Sequence, residues 1–187
     1  MRYRIENMVA STDLGMDLDL AKLAITLMDV KYEPENFPGL IYRLKDPKAT
    51  LLIFRTGKVV ITGAKSLEQV NAAADAVASI VRKAGFPISK VPRSEVQNIV
   101  ASADLGQKID LTVTLMALGL EEVEYEPEVF PGLVYRMDDP KVVILIFSSG
   151  KLVCTGARRP QDIGIAVDRM TKELVQLNLL EPIVADS

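Results

Sequence analysis

The chain has 187 residues, 49 % of them hydrophobic and 25 % charged, with a formal net charge of −3, one cysteine and no histidine. Without histidine the usual general base and the commonest metal ligand are missing together, and a lone Cys154 excludes both an internal disulfide and a His/Cys zinc cluster. No apolar run reaches the ~18 residues of a membrane helix, the N-terminus lacks the apolar core of a secretory signal, and a reducing, intracellular location is expected.

Taken in chain order, Arg2–Asp13 alternates and is rich in strand formers around Ile5, Met8 and Val9, so it predicts a strand. Asp17 or Asp19 can cap a helix that carries Leu20, Leu23, Ala24 and Leu27 at helical spacing. A short strand near Val30–Tyr32 precedes the loop Glu33-Pro34-Glu35-Asn36-Phe37-Pro38-Gly39, whose prolines and glycine exclude regular pairing. Three strands follow, Leu40–Lys45, Ala49–Arg55 and Lys58–Gly63, joined by turns at Asp46-Pro47 and Thr56-Gly57. Ser66 and Gln69 form a capping box for a helix with Val70, Ala74, Val77, Ala78 and Val81 on one face, closed by Gly85.

The same order then begins again. A strand near Ser94–Asp104 and a helix near Asp110–Leu120 lead into Tyr125–Ala157, which rewrites Tyr32–Ala64. Tyr32–Lys48 and Tyr125–Lys141 agree at 13 of 17 positions, which makes this an internal repeat. The offset between copies is 91 at Asn7/Asn98 and 93 at Tyr32/Tyr125, so the second copy holds two extra residues after its first helix. A last helix starts at Pro160 and points Ile163, Ala166, Val167, Met170 and Leu174 inward. Leu180–Ser187 reads as a frayed tail. The expected domains are residues 1–91 and 92–187, each a two-layer α+β unit of five strands and two helices.

Alternation places Leu52, Phe54, Val60 and Thr62 on one side of their strands and Leu51, Ile53 and Ile61 on the other, with Leu145, Phe147, Val153 and Thr155 answering the first set. If helices cover one face, the other needs a partner; both faces are apolar, so either both are buried or one is a binding surface. Charge is segregated. Leu40–Gly63 carries +4 and Leu133–Gly156 carries +1, leaving −8 for the remainder. Taken alone, the acidic total argues against a nucleic-acid binder, but the distribution matters more: the strand-like stretches are basic and the remainder acidic. Cys154 faces the helix side and reads as a buried, inert thiol. Gly57, Gly63, Gly150 and Gly156 mark turns and strand ends and do not fit a phosphate loop.

The twice-written text EPExFPGLxYR, DPK, LIFxxGK and xxTGA resembles the TATA-binding protein family over roughly Ile5–Leu177. The resemblance implies a saddle of two repeats, with a ten-stranded curved antiparallel sheet below and four helices on the convex face. It also implies a general transcription initiation factor that binds and bends the minor groove of TATA-box DNA and catalyses nothing; the family is itself the standard example of such wedging and bending. At matching positions the wedges would be Phe37 with Phe54 and Phe130 with Phe147. The central polar groups would be Asn7 and Thr62 with Asn98 and Thr155. The apolar floor would include Val9, Leu52 and Val60, with Val100, Leu145 and Val153. Phosphates would meet Arg43, Lys48 and Lys58, with Arg136, Lys141 and Lys151. Transcription factor B would grip Glu126, Glu128 and Val129 and lead indirectly to RNA polymerase. The short N-terminus, the acidic balance, the lack of a strongly basic inter-repeat helix and the paired FPG loops make the chain resemble archaeal members, in a cytoplasmic, nucleoid-associated setting.

The residues suit that chemistry. A·T pairs show acceptors in the minor groove and G·C pairs add an amino group, which an apolar floor would bury unpartnered. Asn and Thr can donate to the central acceptors. Two other classes compete with this reading: a module of the same fold that binds substrate for a nucleic-acid-processing enzyme, and a purely structural dimerisation protein. The first predicts a single repeat or an attached catalytic domain, whereas this chain has two full repeats and no room for one, and the second has no need of doubled phenylalanines or basic strand edges. An exposed apolar face also predicts a homodimer when DNA is absent. No cofactor, metal or membrane partner is expected.

Overall fold

Ten strands and four helices follow one another as strand, helix, four strands, helix, twice, in the computed structural model, which describes residues 2–89 and 92–182. The first series is β1 (Tyr3–Asp13), α1 (Leu20–Thr26), β2 (Val30–Lys31), β3 (Leu40–Lys45), β4 (Lys48–Ile53), β5 (Lys58–Ala64) and α2 (Leu67–Lys83). The second is β6 (Glu95–Asp104), α3 (Leu111–Leu118), β7 (Val123–Glu124), β8 (Leu133–Met137), β9 (Val142–Ile146), β10 (Lys151–Ala157) and α4 (Pro160–Gln176). The strands are ordered β2-β3-β4-β5-β1-β6-β10-β9-β8-β7. The two-repeat, ten-stranded α+β architecture implied by the sequence is the one observed. The chain divides into two compact units: Asn7–Gln97 form one, and the other described residues, including the first turn of strand before Asn7, form the other.

In the unit Asn7–Gln97, β3, β4 and β5 make an antiparallel meander, with Leu51 opposite both Tyr42 and Ile61. β1 lies on the far side of β5, with Ala10 opposite Ile61. Side chains alternate across these strands, so Leu51, Ile53, Val59 and Ile61 are fully buried while Leu52 and Val60 are half-exposed. The buried set packs with Ala73, Ala74, Val77, Ala78 and Val81 of α2 and with Leu20 and Leu23 of α1. Each fully buried aliphatic side chain contributes about 1.5–3 kcal/mol. The helices begin where the sequence says. Asp19 accepts from Lys22 N at 3.0 Å, and Ser66 Oγ accepts from Gln69 N at 3.1 Å. The capping box departs from its usual form, because Gln69 Oε1 accepts from Lys65 N at 2.9 Å rather than from the cap residue itself.

The second unit repeats these choices. Ile144, Ile146, Leu152 and Cys154 are buried beneath α4, whose Ile163, Ala166, Val167, Met170 and Leu174 point inward as the sequence predicts. Asp110 caps α3 by accepting from Val113 N at 3.1 Å. Two expectations fail. The strand drawn as Ala49–Arg55 runs from Lys48 and stops at Ile53, because Phe54 opens the tight turn in which Gly57 N donates to Phe54 O at 2.9 Å. Leu180 is buried and does not fray: Leu179 N donates to Leu174 O, and Gln107 exchanges two bonds with Glu181, accepting at 3.0 Å and donating at 3.1 Å. The rest of that expected tail, from residue 183, lies outside the described residues, as do residues 90 and 91 of the expected connection. No helix among the described residues is long and apolar enough to cross a membrane.

Candidate nucleic-acid interface

Opposite the helices, each unit presents strand side chains that no element covers. In the first these are Asn7, Val9, Leu52, Val60 and Thr62, all half-exposed, with Phe37 and Phe54 at the margin. In the second they are Asn98, Val100, Leu145, Val153 and Thr155, half-exposed, with Phe147 half-exposed and Phe130 more open, at 37 %. Every position assigned to the apolar floor therefore lies on the uncovered face of its own unit. Leu52 pairs with Ile41 and Val60, and Val153 pairs with Leu145 and Ser102, so each floor is a contiguous cross-strand patch.

The phenylalanine pairs come together as the repeat suggests. Phe37 and Phe54 lie with centroids 5.9 Å apart and rings at 68°, and Phe130 and Phe147 lie 5.9 Å apart at 69°. This edge-to-face arrangement holds each pair as a preformed unit. What permits it escaped the sequence reading. A Cβ on Gly39 would stand 2.7 Å from Phe37 Cε1 and 3.1 Å from Phe54 Cε1; on Gly132 the distances are 2.7 Å to Phe130 and 3.0 Å to Phe147. The glycine of FPG is space for the pair, beyond its role as a loop breaker. Its recurrence beside both phenylalanines was the available signal.

The central polar groups are equally exact copies. Gly63 N donates to Asn7 Oδ1 at 2.7 Å, and Asn7 Nδ2 donates to Thr62 Oγ1 at 3.3 Å. Gly156 N donates to Asn98 Oδ1 at 2.7 Å, and Asn98 Nδ2 donates to Thr155 Oγ1 at 3.4 Å. A backbone N–H can only donate, so the amide oxygen must face it and the amide nitrogen must face the threonine. One amide hydrogen and the threonine hydrogen then remain for an acceptor above the sheet. The bonds depend on bulges. Met8 opposes Ala64 but Ala10 opposes Ile61, leaving Thr62 and Gly63 against Val9 alone; Gly156 is the extra residue in the second unit. Gly63 and Gly156 have φ of 91° and 97°, which turns their N–H groups out of the ladder and toward the asparagines.

Arg43, Lys48, Lys58, Arg136, Lys141 and Lys151 are all exposed. Lys48, Lys58 and Lys151 stand at the first residue of their strands. Arg136 is shared with Glu124 at 3.7 Å. In the loops, Glu126, Glu128 and Val129 are exposed, Val129 at 79 %. Each loop is closed by the same turn, with Phe37 N donating to Glu33 O and Phe130 N donating to Glu126 O, both at 2.9 Å. Among the described residues no cluster of three or more His, Cys, Asp or Glu is placed to hold a metal ion. Cys154 is buried, and desolvation pushes its thiol up to about 12, which leaves it without nucleophilic thiolate at ordinary pH.

A family model described as "Transcription factor TFIID (or TATA-binding protein, TBP)" matches residues 2–84 and again 93–177. TATA-box-binding protein E of Halobacterium salinarum is 52 % identical over 177 residues, 95 % of each chain. The TATA-box-binding proteins of Archaeoglobus fulgidus and Picrophilus torridus are 49 % and 53 % identical over 179 residues, 96 % of this chain and 98 % and 97 % of theirs. The solved structure of Methanococcus jannaschii TBP superposes with a TM-score of 0.83 at 45 % identity, covering 94 % of this chain and 99 % of that one.

Proposed function

The chain belongs to the TATA-binding protein family, and from that premise we propose that it binds TATA-box promoter DNA through the minor groove, bends it, and nucleates assembly of the transcription initiation complex. The observation that carries this is the paired site. Each repeat holds an uncovered apolar floor, one Asn–Thr donor set and one phenylalanine pair given room by a glycine. An A·T pair offers acceptors in the minor groove, which the outward hydrogens of Asn7, Thr62, Asn98 and Thr155 can meet. A G·C pair adds an amino group that Val9, Leu52, Val60, Val100, Leu145 and Val153 leave unpartnered. Phe37 with Phe54, and Phe130 with Phe147, enter base steps at the two ends, most cheaply at flexible TA-type steps. Arg43, Lys48, Lys58, Arg136, Lys141 and Lys151 take phosphates and make binding salt-dependent.

Glu126, Glu128 and Val129 form the contact for transcription factor B, through which RNA polymerase is recruited, and the uncovered face pairs with a second copy when no DNA is bound. The setting is the nucleoid-associated cytoplasm of an archaeal-type cell. No reaction belongs to this function. The test is a duplex carrying a fluorophore at each end. An A/T-rich duplex should bind and its end-to-end distance should change, while a G/C-rich duplex of equal length should do neither. Equal binding of both, or binding without a change in distance, would refute the proposal.

A further inference from the structure

Six basic side chains are assigned to phosphates above, and the structure holds two more cations beside one of the phenylalanine pairs. An open concavity of about 930 Å³ in the second unit is lined by Arg2, Arg4 and Lys151 together with Phe147, Ser148 and Ser149. Glu6 and Asp104 also line it, leaving the balance positive. The two acids are engaged: Asp104 accepts from Gly106 N at 2.9 Å, and Glu6 Oε1 accepts from Ser102 Oγ at 2.7 Å and from Arg4 Nε at 2.8 Å. The Arg4 side chain is 79 % exposed, and its guanidinium makes no other bond among the described residues. Glu6 thus holds one edge of the guanidinium in place and leaves its Nη groups for an acceptor, the geometry in which arginine recognises phosphate.

The first repeat lacks this arrangement. At the offset of 91 the counterparts of Arg2, Arg4, Glu6 and Ser102 are Arg93, Glu95, Gln97 and Ser11. There Gln97 Nε2 donates to Ser11 Oγ at 3.0 Å, and an acid stands where Arg4 stands in the other half. The first repeat's extra cation is Arg55 on the turn, in the place of Ser148, and it lies 3.7 Å from Asp17. We propose that Arg4, with Arg2 beside it, is a further phosphate contact available only at the second-repeat end of the bound duplex, so that the two ends are gripped at different phosphates. This rests on the minor-groove reading above.

The test is the dependence of affinity on salt for one A/T-rich duplex, with wild type, Arg4→Gln and the double variant Arg4→Gln/Glu6→Gln. One lost phosphate contact lowers the slope of log affinity against log salt by about 0.9. The double variant leaves net charge unchanged, so a general electrostatic effect would leave its slope at the wild-type value. We expect both variants to lose about 0.9. Neutralising phosphates singly with methylphosphonates should then find one whose loss weakens wild type and leaves Arg4→Gln unaffected. A wild-type slope in the double variant, or no such phosphate, overturns the assignment while leaving the function standing. Wild type that fails to bind the duplex overturns both.

Discussion

The two repeats agree on one face and diverge on the other. Toward the uncovered face the agreement extends to individual bonds: the Asn–Gly bonds are both 2.7 Å and the ring pairs are both 5.9 Å apart. Away from it the copies differ freely. α1 places Lys22 Nζ 5.2 Å from the Phe86 ring, whereas α3 carries no charge and exposes Val113 at the matching position. α2 has a serine cap, whereas α4 starts at a proline with no side-chain cap. A shared ligand with two-fold backbone symmetry explains conserved geometry on one face, because each half meets the same chemistry. The divergent face, together with the Arg4 cluster at the margin of the second unit, is where the protein has room to distinguish its ends.

The largest expected effect tests the agreement. Phe54→Ala and Phe147→Ala should each abolish most of the bend at their own end and weaken binding by on the order of tenfold or more, since a wedge recovers a few kcal/mol of unstacking per step. Folding should suffer little, because both rings are already half in water. Gly39→Ala and Gly132→Ala provide a sharper form: the rings remain, but a methyl group displaces them. End-to-end distance by energy transfer should report reduced bending in all four. If the glycine variants bend DNA normally, the ring pair as packed over the glycine is not the wedge geometry.

A smaller effect is expected at the centre. Asn7→Ala and Asn98→Ala each remove the acceptor of a glycine N–H and a donor above the sheet. A lost bond of this kind costs about 1 kcal/mol in stability, and binding should fall in parallel. The two variants should match each other. Chemical denaturation and duplex titration would reveal a mismatch, and a large one would break the equivalence of the halves.

Much of this was legible in the sequence because repetition amplified weak signals. A strand phenylalanine or a strand-end asparagine is ordinary once; written twice at one spacing beside FPG and TGA, it marks a site. Element order followed from caps and turn residues such as Asp19, Ser66 and Pro160. What stayed hidden depended on distance. Nothing local says that Gly39 lies under two rings, that Gly63 reaches Asn7 across a bulge, or that Gln107 ties down Glu181. Alternation continues through Phe54 and so predicts a strand there, while the turn that stops the strand is set by Gly57 three residues later.

The loops give a difference to exploit. Asn36 Nδ2 donates to Glu33 Oε2 at 3.1 Å, which occupies one carboxylate of the first loop, while Val129 stands exposed with nothing comparable. Two halves so alike can sit on a site either way round, so the proposed docking of transcription factor B on the second loop is what would select one orientation; Glu126→Lys/Glu128→Lys should leave binding to a TATA-like duplex intact and abolish that selection. Glu33→Lys/Glu35→Lys should leave both intact. A cleavage probe attached to one half reads orientation directly. Loss of orientation in both double variants would mean that the partner does not distinguish the loops.

The smallest expected effect lies in the helix layer of the second repeat. Tyr135 is nearly buried on β8, and its hydroxyl donates to Glu173 Oε2 at 3.4 Å. Burial, then the nearby charges of Glu173 and Glu122, push its phenol from 10.0 up to about 12. At the offset of 93 the first repeat has Tyr42 and Ile80, so the carboxylate partner is absent there. A pKa raised by folding means that the native state holds the proton more tightly than the unfolded chain. Its stabilisation is therefore complete below pH about 10 and is lost as pH rises through about 12. Cys154 titrates in an overlapping window with the same sign, so the comparison belongs in a Cys154→Ala background. There, thermal unfolding followed from pH 8 to 12 should show a falling midpoint, and Tyr135→Phe should flatten the fall. Glu173→Gln should flatten it only partly, since burial is the larger cause. An equal slope in all three proteins would mean that Tyr135 is not held in its neutral form by this environment, and the two repeats would then be alike in the layer where they differ most.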